Sequence, residues 1–274
     1  MVHDNCLEYE MILGNGELVS ASPEENADLF YGSSASYGSL GITTLIKVSL
    51  VPAKVFVELS YLNVRSYEEV IEVIKEKSKF GDNFIDAIMF SRSRGVIMTG
   101  NFSEKKDLPI ITFHKATDQW FYLHADKISK NHDNYRELIP TEDYFFRYDK
   151  GAYWMGYEAF KVVHIPFNRV TRYLLDGICG TKALWMFLDE TRLAQEYVIQ
   201  DFNLPSENSL KFMEFIDEKL KIFPIWICPL KPGRKDKLSA NYIATDLVYN
   251  IGVWGKAKTE MKDPFELNRF LENQ

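Results

Sequence analysis

Apolar and polar residues alternate along much of the first hundred positions of this chain. Leu7, Tyr9, Met11 and Leu13 recur at every second residue, Gly14-Asn15-Gly16 interrupts them, and Leu18-Val19 resumes. A period of two broken by Asn-Gly predicts a hairpin over residues 6–21 with a tight, positive-φ turn. Ser22-Pro23-Glu24-Glu25 predicts a helix start, with Ser22 as N-cap and Glu25 closing a capping box, and the helix runs to about Phe30. A small-residue loop follows. Then Gly38-Ser39-Leu40-Gly41 feeds a second alternating run, with Ile42, Thr44, Ile46 and Val48 on one face, closed by Pro52. Two glycines before a β-branched strand let backbone approach something closely, or simply shape a turn.

The pattern continues through residues 54–62 as a strand, and Ser66-Tyr67-Glu68-Glu69 opens a helix to about Phe80 with Val70, Ile71, Val73 and Ile74 as its apolar side. Strands are predicted at Phe84–Phe90 and Gly95–Gly100. Residues 101–135 are polar with weak periodicity and support no element. Residues 140–195 change character: they are dense in aromatics at mostly helical spacing. Such a region packs a core, walls an apolar ligand pocket or touches a membrane surface. A strand at Glu196–Phe202, a helix from Ser206 to about Lys221, and short strands at Phe223–Pro229 and Leu247–Trp254 complete the reading. This order predicts an α+β fold with a mostly antiparallel sheet.

Composition narrows the function classes. The 274 residues are 46% hydrophobic and 14% aromatic, enough for a sizeable core. A net charge of −7 argues against a general nucleic-acid binder, which carries a basic surface. The three cysteines, Cys6, Cys179 and Cys228, are odd in number and far apart, which suits reduced thiols rather than a disulfide framework. The polar start reads as no signal peptide, and no run approaches the roughly 20 apolar residues of a spanning helix. His114, His124 and His132 have spacings that match no metal-site pattern, so they read as surface or core histidines. There is no Gly-x-Ser-x-Gly elbow, Walker loop, His-Glu-x-x-His or Cys-x-x-Cys. Both ends of the chain read as cut within an element.

A resemblance goes further. Asn5 to Gly16, Pro23 to Phe30, Gly38-Ser39-Leu40-Gly41-Ile42 and Val51-Pro52-Ala53-Lys54 resemble the second half of the flavin-binding domain of the vanillyl-alcohol-oxidase superfamily. Tyr144-Phe145-Phe146-Arg147-Tyr148-Asp149, Pro166-Phe167-Asn168-Arg169, Gln200-Asp201 followed by Pro205, Phe223 to Leu230 and Asn250 to Gly255 resemble, in order and spacing, the Δ24-sterol reductase (Diminuto or seladin-like) family within it. The implied architecture is the second half of a PCMH-type FAD-binding domain over residues 1–55, then an α+β substrate-binding cap over 56–274, incomplete at its C-terminus.

The resemblance implies reduction of an isolated carbon–carbon double bond in a sterol side chain, with FAD as cofactor and NADPH as reductant. Gly38, Ser39, Leu40, Gly41 and Ile42 would present backbone to FAD, with Cys6 near the flavin or else a buried structural thiol. Tyr144, Arg147, Tyr148, Trp226 and Cys228 are the candidates for the substrate cavity, and core packing is the competing role of each. The acid that protonates the alkene is not identified. The partner is a sterol-like apolar molecule, with peripheral membrane contact. The family sits at the endoplasmic reticulum membrane, while this chain by itself leaves a cytoplasmic location open. The loop Ser34-Ala35-Ser36-Tyr37 departs from the Pro-Trp-Ser-type sequence that family members more often carry. Two rival readings are a non-catalytic remnant serving as a lipid- or partner-binding module, and another flavin oxidase of the superfamily acting on an alcohol or sugar.

Overall fold

The computed structural model describes residues 2–34, 36–79, 81–191, 196–232, 245–258 and 264–272. The chain forms two compact units, one of Met1–Pro52 with Asn203–Pro205 and Leu230–Val248, the other of the remaining residues.

In the first unit, β1 (Cys6–Ile12) pairs antiparallel with β2 (Leu18–Ala21) and with β3 (Ile42–Val48), giving the order β2-β1-β3. The expected alternation of Leu7 with Tyr9 and Met11 is broken. A register shift between Cys6 and Glu8 turns Cys6 inward and leaves Leu7 exposed, because one extra residue inverts the side-chain parity of a strand. The small core holds Cys6, Tyr9, Met11, Ala21 and Phe30. The first helix also departs from expectation. Ser22 Oγ does accept from the backbone N–H of Glu24 and Glu25, at 3.2 and 3.1 Å, but the chain bends there. Helix α1 spans Ala27–Ser33, after Asn26 at φ 48°. Every position of β3 is exposed.

The second unit is built on a seven-stranded sheet of β4 (Phe56–Val64), β5 (Phe84–Ser91), β6 (Arg94–Ser103), β7 (Asn134–Pro140), β8 (Val198–Pro205), β9 (Ile225–Leu230) and β10 (Val248–Gly255). Its order is β7-β4-β6-β5-β9-β10-β8. The registers of β4 with β6 and β7, and of β5 with β6 and β9, are all antiparallel. Helix α2 (Tyr67–Lys77) starts where the sequence places it: Ser66 Oγ accepts from Glu69 N–H at 3.1 Å, while the Glu69 carboxylate accepts from Arg65 N–H at 2.6 Å.

Ala87, Met89 and Ile97 turn to the face on which α2 and α8 (Ser206–Phe215) lie. Ile88, Val96, Met98, Val57, Leu59 and Tyr61 point the other way, into an aromatic core. That core comes from α3 (Phe121–Asn131), which the weak periodicity of residues 101–135 hid, and from α4 (Thr141–Phe145), α5 (Met155–Val162) and α7 (Thr181–Glu190), whereas α6 (Arg169–Leu174) buries no residue. The last helix, α9, spans Pro264–Glu272. Among the described residues no helix is long and apolar enough to cross a membrane.

Candidate functional site

The β5–β9 register pairs Ile88 with Trp226 and Ala87 with Ile227, and the next residue of β5, Asp86, returns to the aromatic face of the sheet beside Cys228. Asp86 is 3% exposed, in the middle of an otherwise apolar strand segment, so it must be compensated. Three donors converge on a single carboxylate oxygen. Arg147 Nη2 donates to Asp86 Oδ2 at 2.9 Å, Tyr148 OH at 2.7 Å and Trp226 Nε1 at 3.1 Å. Arg147 also donates from Nη1 to the Tyr144 carbonyl at 2.8 Å, and its guanidinium sits 3.9 Å from the Tyr144 ring centroid and 4.6 Å from that of Tyr148. Asp86 Oδ1 and Arg147 Nε are buried with no hydrogen-bond partner.

Four of the five residues singled out for the substrate cavity, Tyr144, Arg147, Tyr148 and Trp226, therefore gather round Asp86, and the fifth, Cys228, lies beside it. Cys228 Sγ lies 3.9 Å from the Ile85 carbonyl. Sequence reasoning missed Asp86 itself, although a carboxylate alternating into Phe84-Ile85-Asp86-Ala87-Ile88 was a signal. It also missed Tyr153, stacked on Tyr148 at 4.1 Å and 14°, and Trp254, whose ring centroid is 4.7 Å from that of Tyr153. Trp254 Nε1 donates to Asp201 Oδ1 at 3.1 Å. Gly252 permits this packing, since a Cβ there would fall 2.9 Å from Asp201 Oδ1.

Burial sets the protonation of the cluster. It raises the Tyr148 phenol well above its ordinary value, and the negative charge of Asp86 raises it further. Burial pulls the Arg147 guanidinium down, but Asp86 and the neighbouring phenols more than offset this and keep it charged. Burial, with Asp86 beside it, pushes the Cys228 thiol up to about 12, so it stays a thiol at neutral pH rather than a nucleophile. Tyr148, Tyr153, Trp226 and Cys228 are each only half-buried, so the cluster combines a dry charged interior with an approachable aromatic edge.

Elsewhere in the unit, buried Glu137 takes Tyr61 OH on one oxygen and lies 2.9 Å from His124 Nε2 on the other, and the exposed His114 sits 2.9 Å from Asp143. Among the described residues no group of three or more His, Cys, Asp or Glu could hold a metal ion.

The residues expected to meet a cofactor lie in the first unit. Tyr37 is almost wholly exposed at φ 50°, and Gly38 follows at φ 78° with nothing within 4 Å of where its Cβ would stand. Ser39 ties the turn through its N–H and hydroxyl, both to the Ser36 carbonyl. This exposed turn suits approach of its backbone to a ligand. Gly41 serves the sheet instead, because a Cβ there would fall 2.6 Å from the Ile12 carbonyl oxygen. Ile42 opens β3 with its side chain exposed. Cys6 lies in the hydrophobic core, the packing alternative for this thiol.

Comparison with known proteins bears on both units. No family model matches the chain. It is 26% identical over 278 residues to the Delta(24)-sterol reductase of Mus musculus, covering 97% of this chain and 53% of that protein. It is 28% identical over 250 residues to the Delta(24)-sterol reductase of Arabidopsis thaliana, covering 83% of this chain and 43% of that protein. Among solved structures, Physcomitrella patens BBE-like 1 matches with a TM-score of 0.52 at 12% identity, over 99% of this chain and 54% of that one. The α+β fold with antiparallel sheets is thus that of a BBE-like protein. The chain spans about half the length of the curated relatives it matches. It is related in sequence, along nearly all of its own length, to the Delta(24)-sterol reductases.

Proposed function

We propose that this chain is part of an FAD-linked oxidoreductase that reduces an isolated carbon–carbon double bond in a sterol side chain, with NADPH as the reductant. The observation that carries the reading is the sequence likeness to Delta(24)-sterol reductases over 97% of the chain. The exposed turn at Gly38 and Ser39, with half-buried Leu40 beside it, supports cofactor contact there, and bound flavin supplies hydride to the alkene. The chain's own residues do the rest. The aromatic edge of Tyr148, Tyr153, Trp226 and Trp254 suits an apolar body and excludes water from it. Tyr148 holds a phenolic proton at neutral pH on a hydrogen bond to Asp86 and is the donor this reading assigns to the alkene. Arg147 fixes the charge and orientation of Asp86 and is a positioning residue. The setting that goes with this reading is peripheral contact with the endoplasmic reticulum membrane.

The test is the visible spectrum of the purified chain after incubation with FAD and desalting, followed by anaerobic addition of a Δ24-unsaturated sterol to the reduced form. Retained flavin that is reoxidised by sterol, and much more slowly in Tyr148→Phe, is the expected result. A colourless but folded chain means that this chain alone is not the holoenzyme, and the reading as a lipid- or partner-binding module then leads. Retained flavin that only alcohols or sugars reduce points instead to another oxidase of the superfamily.

A further inference from the structure

A second feature of the larger unit adjoins the Asp86 network through Trp254. A cleft of about 1140 Å³ is floored by Tyr122, Trp154, Tyr157, Phe167 and Trp254. Its rim carries six cationic side chains, Arg94, Lys130, Lys161, Lys221, Lys256 and Lys258. Against them stand few carboxylates. Asp126 is shared between Arg94 at 2.7 Å and Lys130 at 2.5 Å, Glu158 pairs with Lys161 at 2.8 Å, and Glu196 pairs with Lys256 at 2.7 Å. Lys221 and Lys258 make no ion pair among the described residues, and the Lys258 backbone N–H donates to the Leu220 carbonyl at 2.8 Å, which sets the two lysines on adjoining backbone. A positive excess is concentrated in one cleft of a chain whose net charge is −7.

Backbone conformation gives an independent indication. His164 and Lys221 both line the cleft, and both adopt positive φ, at 55° and 51°. Each follows or caps a helical segment at a place where glycine terminates more cheaply. The sequence sets an imidazole and an ammonium there instead. Non-glycine residues held in this region gather at ligand sites more than elsewhere. The floor adds planar surface: Tyr157 and Phe167 pack edge-on with centroids 5.0 Å apart, and Lys161 Nζ stands 4.2 Å over Tyr157. Ammonium groups above aromatic rings fit a ligand with a phosphate and a flat or apolar body.

We propose that this cleft binds a phosphate-bearing small ligand, with its phosphate on Lys221 and Lys258 and its body on the Tyr157–Phe167–Trp254 floor. Binding is read from the fluorescence of Trp154 and Trp254, and by calorimetry, with three probes: inorganic pyrophosphate, adenosine diphosphate, and vesicles of phosphatidylserine in phosphatidylcholine. Adenosine is the uncharged control. The expected result is that adenosine diphosphate binds more tightly than pyrophosphate, that the two compete, and that adenosine binds at least tenfold more weakly. Lys221→Glu and Lys258→Glu should each raise Kd tenfold or more, and the milder Lys221→Gln and Lys258→Gln should raise it less, with circular dichroism unchanged. Vesicle binding that pyrophosphate displaces and the same variants abolish supports the phosphate site and assigns its source to a lipid headgroup. No binding of any probe, or binding that the folded variants leave unchanged, overturns the proposal. None of these readouts requires bound flavin or sterol turnover, so the outcome is separate from that of the sterol-reductase reading.

Discussion

Asp86 shows how much one side chain can organise. A lone carboxylate at 3% exposure is costly, and here a guanidinium at 2.9 Å, a phenol and an indole all serve the same oxygen. Such a cluster is balanced, not simply stabilising. Its parts compensate one another, so removing either charge should cost far more than removing both. Asp86→Ala strands a buried guanidinium and is expected to destabilise the fold by roughly 3–5 kcal/mol. Asp86→Asn keeps the shape and acceptor oxygen and should cost less. Tyr148→Phe removes one of three donors and should cost about 1 kcal/mol. The Asp86→Ala, Arg147→Met double variant should lose clearly less than the sum of the single losses. Urea unfolding of these three variants, of Arg147→Met alone and of the double checks this, and additive losses would mean that the two charges are not coupled.

At the scale of elements, α2 offers the sharpest test of local chemistry. Ser66 Oγ accepts the Glu69 N–H at 3.1 Å, and no other element supplies that bond. Ser66→Ala should therefore cost about 1 kcal/mol, and Ser66→Asp should recover most of it, both read from thermal unfolding. This helix was legible because its cap and its apolar stripe agree. Strands β4, β5 and β6 were legible for a similar reason, since Gly and turn residues punctuate their alternation. Helix α3 was not. It begins at Trp120-Phe121 with no side-chain cap bond, and His124, Asp126, Lys127 and Lys130 dilute its apolar positions. Only tertiary packing, with Phe121, Ala125 and Ile128 on the sheet, makes it a helix. Residues 22–26 failed in the opposite way. A good cap signal was present, and Ser22 made its bonds, but Asn26 in the left-handed region took over the start of α1. The site was half legible. Tyr144, Arg147, Tyr148, Trp226 and Cys228 come from two stretches that resemblance picked out. Asp86, the group that joins them, needed the β5–β9 register before it could be seen.

Across the whole molecule, the aromatic core sets how the protein responds to alkali. Burial raises the phenols of Tyr61, Tyr67, Tyr122, Tyr144, Tyr148 and Tyr249 above their ordinary value, and Glu137 beside Tyr61 and Asp86 beside Tyr148 add to the shift. Each of these groups holds its proton more tightly folded than unfolded. Their contribution to stability is therefore complete below the unfolded phenol value of about 10 and is lost as pH rises through the folded values above it. Stability should be flat in this respect from neutral pH to about 10, then fall steeply, since several phenols release protons together only by unfolding. Ultraviolet titration of tyrosine ionisation, run beside circular dichroism, checks this. The buried class should ionise in one steep, hysteretic step that coincides with loss of the folded signal. If all the tyrosines titrated together near 10 while the circular dichroism held, the rings would be open to water, and the dry interior on which the Asp86 network depends would not exist.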